Sequence, residues 1–495
     1  MGFELRSDLV TITVDDDGVA AAFVDRASGR DNLDADQRRP IARLCVDGAW
    51  EPVISADRDG DTVTLGFGDG LGNVKLSITE HARYIELAVE EVCCEEVDEL
   101  VFFDLATTCS PSPDTTFAAC ALALNLQTNV EELPGFQREL WAYCCSEFGL
   151  IGARVCLIGS APDGLREAMQ DAVSAAERIP NAPLGGPWAL DSPGNRESYI
   201  FGNPGESTVE TWVEMCYAFG INQIDLCGCL RYGDYEPNAA LFPNGRAGVK
   251  AVIDRLHAAG IKAGLHTMSF SIAKTCPWVT PVPDARLAKE QTFTLADALD
   301  VTADIVPVEE PTGNMPDHVG YHVRRSVTLQ IDDELIEYSG ITTGGSPALT
   351  GCKRGACGTT PSPHAKGTPV HHLKECWGCF VPEGTSTLYD DVAGGIADTL
   401  NECGFDMVYL DGLDGSHVVG GESSRWHYGS RFAYAVTERL SHPVIMEMAA
   451  FHHHLWFLRS RMVLSKVLET EPCLIFLLFS SVLSRQTCFP VFLTT

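Results

Sequence analysis

Positive charge is scarce in this chain. Its 495 residues hold 35 Lys and Arg against 68 Asp and Glu, a formal net charge of -33. Such a surface repels phosphate backbones and anionic lipid, so neither nucleic acid nor a membrane is an expected partner. Long hydrophobic runs are missing as well. The most apolar stretch, Cys473–Leu483, is broken by Ser480-Ser481 and is too short to cross a bilayer. The N-terminus, Met-Gly-Phe-Glu-Leu-Arg-Ser-Asp, lacks the apolar core of a secretory signal, and a cytoplasmic protein is expected. No Gly-x-Gly-x-x-Gly loop follows a strand, which argues against a doubly wound nucleotide-binding sheet. Cysteine is plentiful at 19, yet Cys376-Trp-Gly-Cys379 has no second pair at zinc-site spacing. The adjacent pairs Cys93–Cys94 and Cys144–Cys145 fit no regular disulfide ladder. The thiols read as reduced and buried, and no metal and no cofactor are expected.

What is present is a globular composition, 45% hydrophobic and 8% aromatic, on a length that implies two or three domains. Residues 1–160 carry short runs of strand character: Leu9–Val14, Thr62–Phe67, Val74–Ile78, Tyr84–Val89 and Leu100–Leu105. Gly, Asp and Asn turns separate them, a pattern that predicts a β-sandwich. A helix over Asp163–Arg178 and a Pro/Gly-rich joint fill 161–187.

From about residue 188 helix and strand alternate. Thr208–Phe219, Ala247–Ala259 and Thr387–Cys403 each show one apolar helical face, and a glycine then opens the next strand: Gly220, Gly260 and Gly404. Arg425–Leu440 repeats the unit, with Pro443 before the strand Val444–Met448. Short αβ joints of this kind imply an α/β fold with a parallel sheet, and a (β/α)8 TIM barrel is its expected form, incomplete here with about five readable strands. The barrel segments are 188–275 and 377–461. A β-rich insertion, 276–376, follows the third strand. Within it Thr280–Pro316 reads as irregular loop, and His371-His372 as surface or hinge residues. Leu349–Thr360, with His364 and Gly367, resembles a small β module of phage-particle proteins.

Polar residues end the strands: Asp225 on the second, His266 on the third, Asp411 on the fourth and Glu447 on the fifth. Four in order on one rim is the expected form of a catalytic face. The stretch Gly404–Gly415 is the clearest case, an apolar strand that stops at Asp411-Gly-Leu-Asp414-Gly.

The residues Ile224-Asp225, Gly233-Asp-Tyr-Glu-Pro237, Phe242-Pro-Asn-Gly245 and Leu256-His-Ala-Ala-Gly-Ile-Lys-Ala-Gly-Leu265 run in a familiar order. They resemble the second and third barrel units of the α-galactosidase (melibiase-like) superfamily of glycoside hydrolases. The resemblance spans about 188–275 and 376–461. It implies a carbohydrate substrate, a nucleophilic aspartate at Asp411 and a sugar-binding acid at Asp225. Where the family has two acids at the second strand end, this chain has Asp225-Leu226.

Glycoside cleavage needs two carboxyl groups. With Asp411 as nucleophile, Glu447 is the expected proton donor, and Asp414 the alternative or a positioning group. Trp188 and Trp377 are candidates for stacking on a sugar. His452, in Phe451-His-His-His-Leu-Trp456, is a candidate for hydrogen bonding to it. Arg459 and Arg461 could bind a sugar carboxylate or sulfate. Tyr409 alternates with Leu410 and is expected to face the helices. After Arg461 the βα rhythm stops, and 462–495 reads as an aberrant tail on a truncated frame. The competing reading is a catalytically inactive carbohydrate-binding or structural relative.

Overall fold

The computed structural model describes residues 2–109, 115–130, 138–182, 184, 191–316, 318, 325–342, 345–450 and 452–461. Trp188 and the expected tail 462–495 lie outside them. Among the described residues no helix is long and apolar enough to cross a membrane.

The strands foreseen in the first 160 residues form, Thr62–Phe67 with the ends expected and the others with shifted ends: Val10–Val14, Gly72–Glu80, Ile85–Val92 and Val97–Ala106. Val10–Val14 alternates buried and half-buried side chains, which is how a strand covers a core on one face. Their assembly fits the expected sandwich in part, the strand Ala49–Asp59 pairing with Arg43–Val46 at its start and with Thr62–Phe67 at its end. Nine antiparallel strands make one continuous sheet whose edge strands, Ala118–Ala123 and Glu139–Cys145, lie against each other. The sheet therefore wraps nearly closed around its own core of Leu65, Val74, Leu100 and Phe103, and a separate three-stranded sheet adds Phe23.

The helix Pro162–Ala175 follows, with Pro at its first turn and Met169 and Val173 buried. Then come five parallel strands in sequential order: Ile200–Gly202, Gln223–Leu226, Lys262–Thr267, Met407–Leu410 and Ile445–Met448. Helices Val209–Phe219, Gly245–Ala258, Thr387–Cys403 and Arg425–Thr437 lie between them in the chain. The first and third end on Gly220 (φ 67°) and Gly404 (φ 81°), a left-handed conformation that costs glycine nothing. Ile224, Leu226, Leu265, Val408, Leu410, Met446 and Met448 point one way, into a core shared with Val213, Val252, Ile396 and Phe432 of the helices.

The sheet is strongly curled. Tyr199, just before the first strand, donates from its hydroxyl to Glu447 Oε1 on the fifth at 2.8 Å. In a flat sheet those two strands would stand roughly 19 Å apart. Arg461 Nη2 likewise reaches Gln223 Oε1 on the second strand at 3.3 Å. The parallel series also runs past the five strands expected. Arg461 forms a parallel bridge with Glu447, and the N–H groups of Ser460 and Arg461 donate to the Met446 carbonyl at 2.9 and 3.2 Å.

The insertion holds a four-stranded antiparallel sheet (Lys289–Thr294, Pro369–Leu373, Thr328–Ile331, Glu334–Glu337) and a three-stranded one. The expected loop 280–316 thus contains two strands, Lys289–Thr294 and Ile305–Pro307, whose partners are distant in sequence. His372 is no hinge. It is buried in a strand, and its Nε2 donates to the Ser326 carbonyl at 2.9 Å.

The segment 349–367 is organised by Glu334. Its buried carboxylate accepts from Arg354 Nε (2.8 Å) and Nη2 (2.7 Å), from the N–H groups of Gly355 (2.9 Å) and Ser362 (3.0 Å), and from His364 Nε2 (2.9 Å). Burial alone would raise this carboxyl. The Arg354, Ser362 and His364 hydrogen bonds prevail and hold it down at about 2.

Candidate active site

Period-2 alternation decides which side chains meet. The residues that do not face the helices share the concave face of the curled sheet: Phe201, Gln223, Asp225, His266, Met407, Tyr409, Ile445 and Glu447. The four strand-end groups are on this face but not on one rim. Asp225 is level with Gly264 and Met407. His266, Tyr409 and Glu447 form the next level. Asp411 lies beyond the end of its strand.

Asp225 is fully buried. Gln223 Nε2 donates to its Oδ1 at 2.7 Å, Oδ2 has no hydrogen-bond partner, and burial pushes its pKa up to about 6. It sits where a neighbouring side chain would be, since a Cβ on Gly264 would lie 2.0 Å from Asp225 Oδ1. Gly264→Ala is therefore expected to cost about 1–3 kcal/mol by overpacking. Urea unfolding measures this, and pairing it with Asp225→Ala should shrink the penalty, because the clashing partner is gone. An equal cost in both backgrounds would remove the contact from the explanation.

His266 Nε2 lies 3.3 Å from Asp411 Oδ2. Burial alone would lower the imidazole pKa. Hydrogen bonding to Asp411, with a contribution from the Cys227 thiol, outweighs burial and raises it to about 9. Asp411 is also held by the Gly412 N–H on its Oδ1 at 2.9 Å, and its carbonyl accepts from Ser269 Oγ at 2.8 Å. Its carboxylate stays partly open to solvent at 19% exposure.

Glu447 is 1% exposed. Tyr199 is its hydrogen-bond donor, and its Oε2 is buried without a partner. Burial raises its pKa to about 7 against the lowering effect of Tyr199.

Trp377 occupies the two-residue turn between Glu375–Cys376 and Cys379–Phe380. It lies against the Asp411 loop, where a Cβ on Gly415 would come 2.9 Å from its Cζ3 and one on Gly412 would come 3.1 Å from it. Asp414 is half-buried in the short helical turn Leu413–Gly415 of that loop. His452 is not aligned with the others. Its ring packs at Gly429, near Ser416, and burial pushes its pKa down to about 3, with Arg425 and Arg459 adding to the effect. The following histidines serve the contact with the first 160 residues, His454 Nε2 lying 2.8 Å from the Thr128 carbonyl and 3.2 Å from that of Asn125. Among the described residues no group of three or more His, Cys, Asp or Glu is placed to hold a metal ion.

Three contributors escaped the sequence. Tyr409 faces the concave side, not the helices. Leu410 takes the helix side, so counting back from Asp411 in steps of two would have found it. Phe201 is half-exposed on the same face, its ring 5.2 Å edge-on to His266 and 6.2 Å from Tyr409. Tyr199 has no local signature, because its partner is 248 residues away. Arg461 is not a free anion site. Its guanidinium donates to the Gly194 carbonyl at 3.0 and 2.8 Å and stacks on Tyr199.

No family model matches the chain, and no curated protein sequence matches it. Solved structures similar to it are an α-galactosidase of Geobacillus stearothermophilus in complex with stachyose (11% identity, 93% of this chain and 74% of that one, TM-score 0.46), an α-N-acetylgalactosaminidase of Bifidobacterium bifidum (12%, 92% and 78%, 0.45) and an α-galactosidase of Thermus thermophilus with stachyose (14%, 85% and 77%, 0.38). At such identity no residue role passes from them to this chain.

Proposed function

We propose that this chain is a glycoside hydrolase on a (β/α)8 barrel, cleaving an oligo- or polysaccharide with retention of configuration, Asp411 being the nucleophile and Glu447 the proton donor. The same reading keeps 1–160 as a separate β domain and 276–376 as an insertion beside the site. One observation carries it. Two carboxyl groups on the concave face have opposite surroundings: Asp411 meets an imidazolium, a backbone N–H and solvent, whereas Glu447 is buried and keeps its proton near neutrality. Asp411 attacks the anomeric carbon as the glycosidic C–O bond breaks, and the leaving oxygen takes the proton of Glu447. The Glu447 carboxylate then accepts a proton from the water that opens the glycosyl–Asp411 ester. Asp225, His266 and Asp414 supply hydrogen bonds to the sugar, and Trp377 a wall. His452 has no part in these steps.

The test is a pH–rate profile on an oligosaccharide with product stereochemistry read by NMR. Glu447 donates only while protonated, so kcat should fall as pH rises through about 7. Glu447→Gln should abolish that limb and spare an aryl glycoside with a good leaving group more than the oligosaccharide. An inverted product overturns the assignment. The deep burial of Glu447 favours a second reading, a binding protein without turnover. It is supported if an oligosaccharide is retained by the protein unchanged.

A further inference from the structure

The concave face carries a thiol that glycoside cleavage leaves unused. Cys227 is one step past the Leu226–Leu265 pair of the second and third strands, and its N–H still donates to the Gly202 carbonyl at 2.9 Å. Parallel register therefore sets it beside His266 and on the same face. Its thiol is half-buried, and the next residue, Gly228, is exposed, so the strand end opens to solvent. The imidazole next to it has two nitrogens with different fates. Nε2 is held by Asp411, and Nδ1 is buried without a hydrogen-bond partner. Asp225 Oδ2, one level deeper, is unpartnered too.

We propose that Cys227 is a second nucleophile of the cleft, the thiol of a Cys227–His266–Asp411 relay, and a covalent modification site for small, uncharged soft electrophiles. A thiol needs a base or an imidazolium beside it and a group that orients that ring. His266 is the first and Asp411 the second. The thiol also acts on the ring, adding to the interactions that keep the imidazole charged against its burial. Cys229, two residues on, gives the contrast. It is fully buried, its Sγ turned to the carbonyls of Gly202 and Cys227, and burial pushes that thiol up to about 12. With iodoacetamide the Cys227 sulfur attacks the methylene carbon, the C–S bond forms as the C–I bond breaks, iodide leaves, and the thiol proton passes to water, the His266 imidazolium stabilising the thiolate.

The inference goes beyond glycoside cleavage, and its readout needs no sugar turnover. The whole chain is treated with substoichiometric iodoacetamide, and each cysteine is quantified by peptide mass spectrometry. Cys227 should be labelled at least as fast as the exposed Cys93, and Cys229 should stay unlabelled. His266→Gln should slow Cys227 labelling about tenfold. Labelling at Cys93 should stay the same, and Cys229 staying unlabelled in the variant reports an intact fold. Asp411→Asn should slow Cys227 by a smaller factor. Labelling of Cys227 slower than Cys93 in the parent chain, or unchanged by His266→Gln, overturns the proposal.

Discussion

Asp411→Asn should lower turnover of an aryl glycoside by roughly four orders of magnitude, about 5.5 kcal/mol of transition-state stabilisation. The size follows from the role. An amide oxygen keeps the shape and can still accept the Gly412 N–H, but it is a poor nucleophile toward an anomeric carbon. It also removes the charge that faces His266, so the imidazole pKa should fall from about 9. The two effects are separable. NMR titration of His266 reports the lost ion pair without any substrate, and single-turnover kinetics report the lost attack. Equal rates in parent and variant would take Asp411 out of the mechanism. A shifted His266 with unchanged turnover would leave the pair as a structural feature only.

Glu334→Gln should destabilise the protein by about 3–5 kcal/mol, as expected when one member of a buried charge cluster is removed. Five donors converge on that carboxylate, and two of their owners, Arg354 and His364, have side chains 7% and 0% exposed. A glutamine offers one acceptor oxygen and turns an NH2 toward Arg354, leaving buried donors unmatched. Glu337→Gln, on the same hairpin, is the control. That carboxylate is about one-third exposed and meets Lys353 and Lys274 only at 3.6 and 3.9 Å, so its loss should cost under about 1 kcal/mol. Urea unfolding of both variants, with proteolysis to locate the loosened region, decides the matter. Equal costs would sink the keystone role. The pH dependence has a definite sign. The folded carboxyl is held at about 2, below its ordinary value, so its contribution is present above about pH 4.5 and is lost as pH falls toward 2.

Much of the parallel sheet is legible in the sequence. Thr387–Cys403 forms with the limits read from its apolar face, and Gly404 takes the left-handed cap expected of it. Both signals are local. A helix stripe needs residues three and four apart, and a cap needs one residue with no Cβ. The strand ends bearing Asp225, His266, Asp411 and Glu447 were visible for the same reason. What the sequence left open is long-range. The twelve strands of the first 160 residues carry the same alternation whether they stack as separate sheets or wrap as one. The strands within 280–316 pair with segments near 350 and 370, so nothing nearby announces them.

For the candidate site, the chain by itself determined which residue types stand at the strand ends and, through period 2, which of them share a face. It also determined the acidic balance, a surface charge that repels polyanions. Only the tertiary structure decided at what level each group sits, because register depends on how neighbouring strands slide before hydrogen bonding. Only the curl of the sheet brings Tyr199 to Glu447 and Arg461 to Gln223, across strands that a flat arrangement would hold apart. Burial then sets the chemistry. Glu447 and Asp225 are ordinary carboxyl groups in the sequence, and desolvation inside the curled sheet is what moves them toward neutrality.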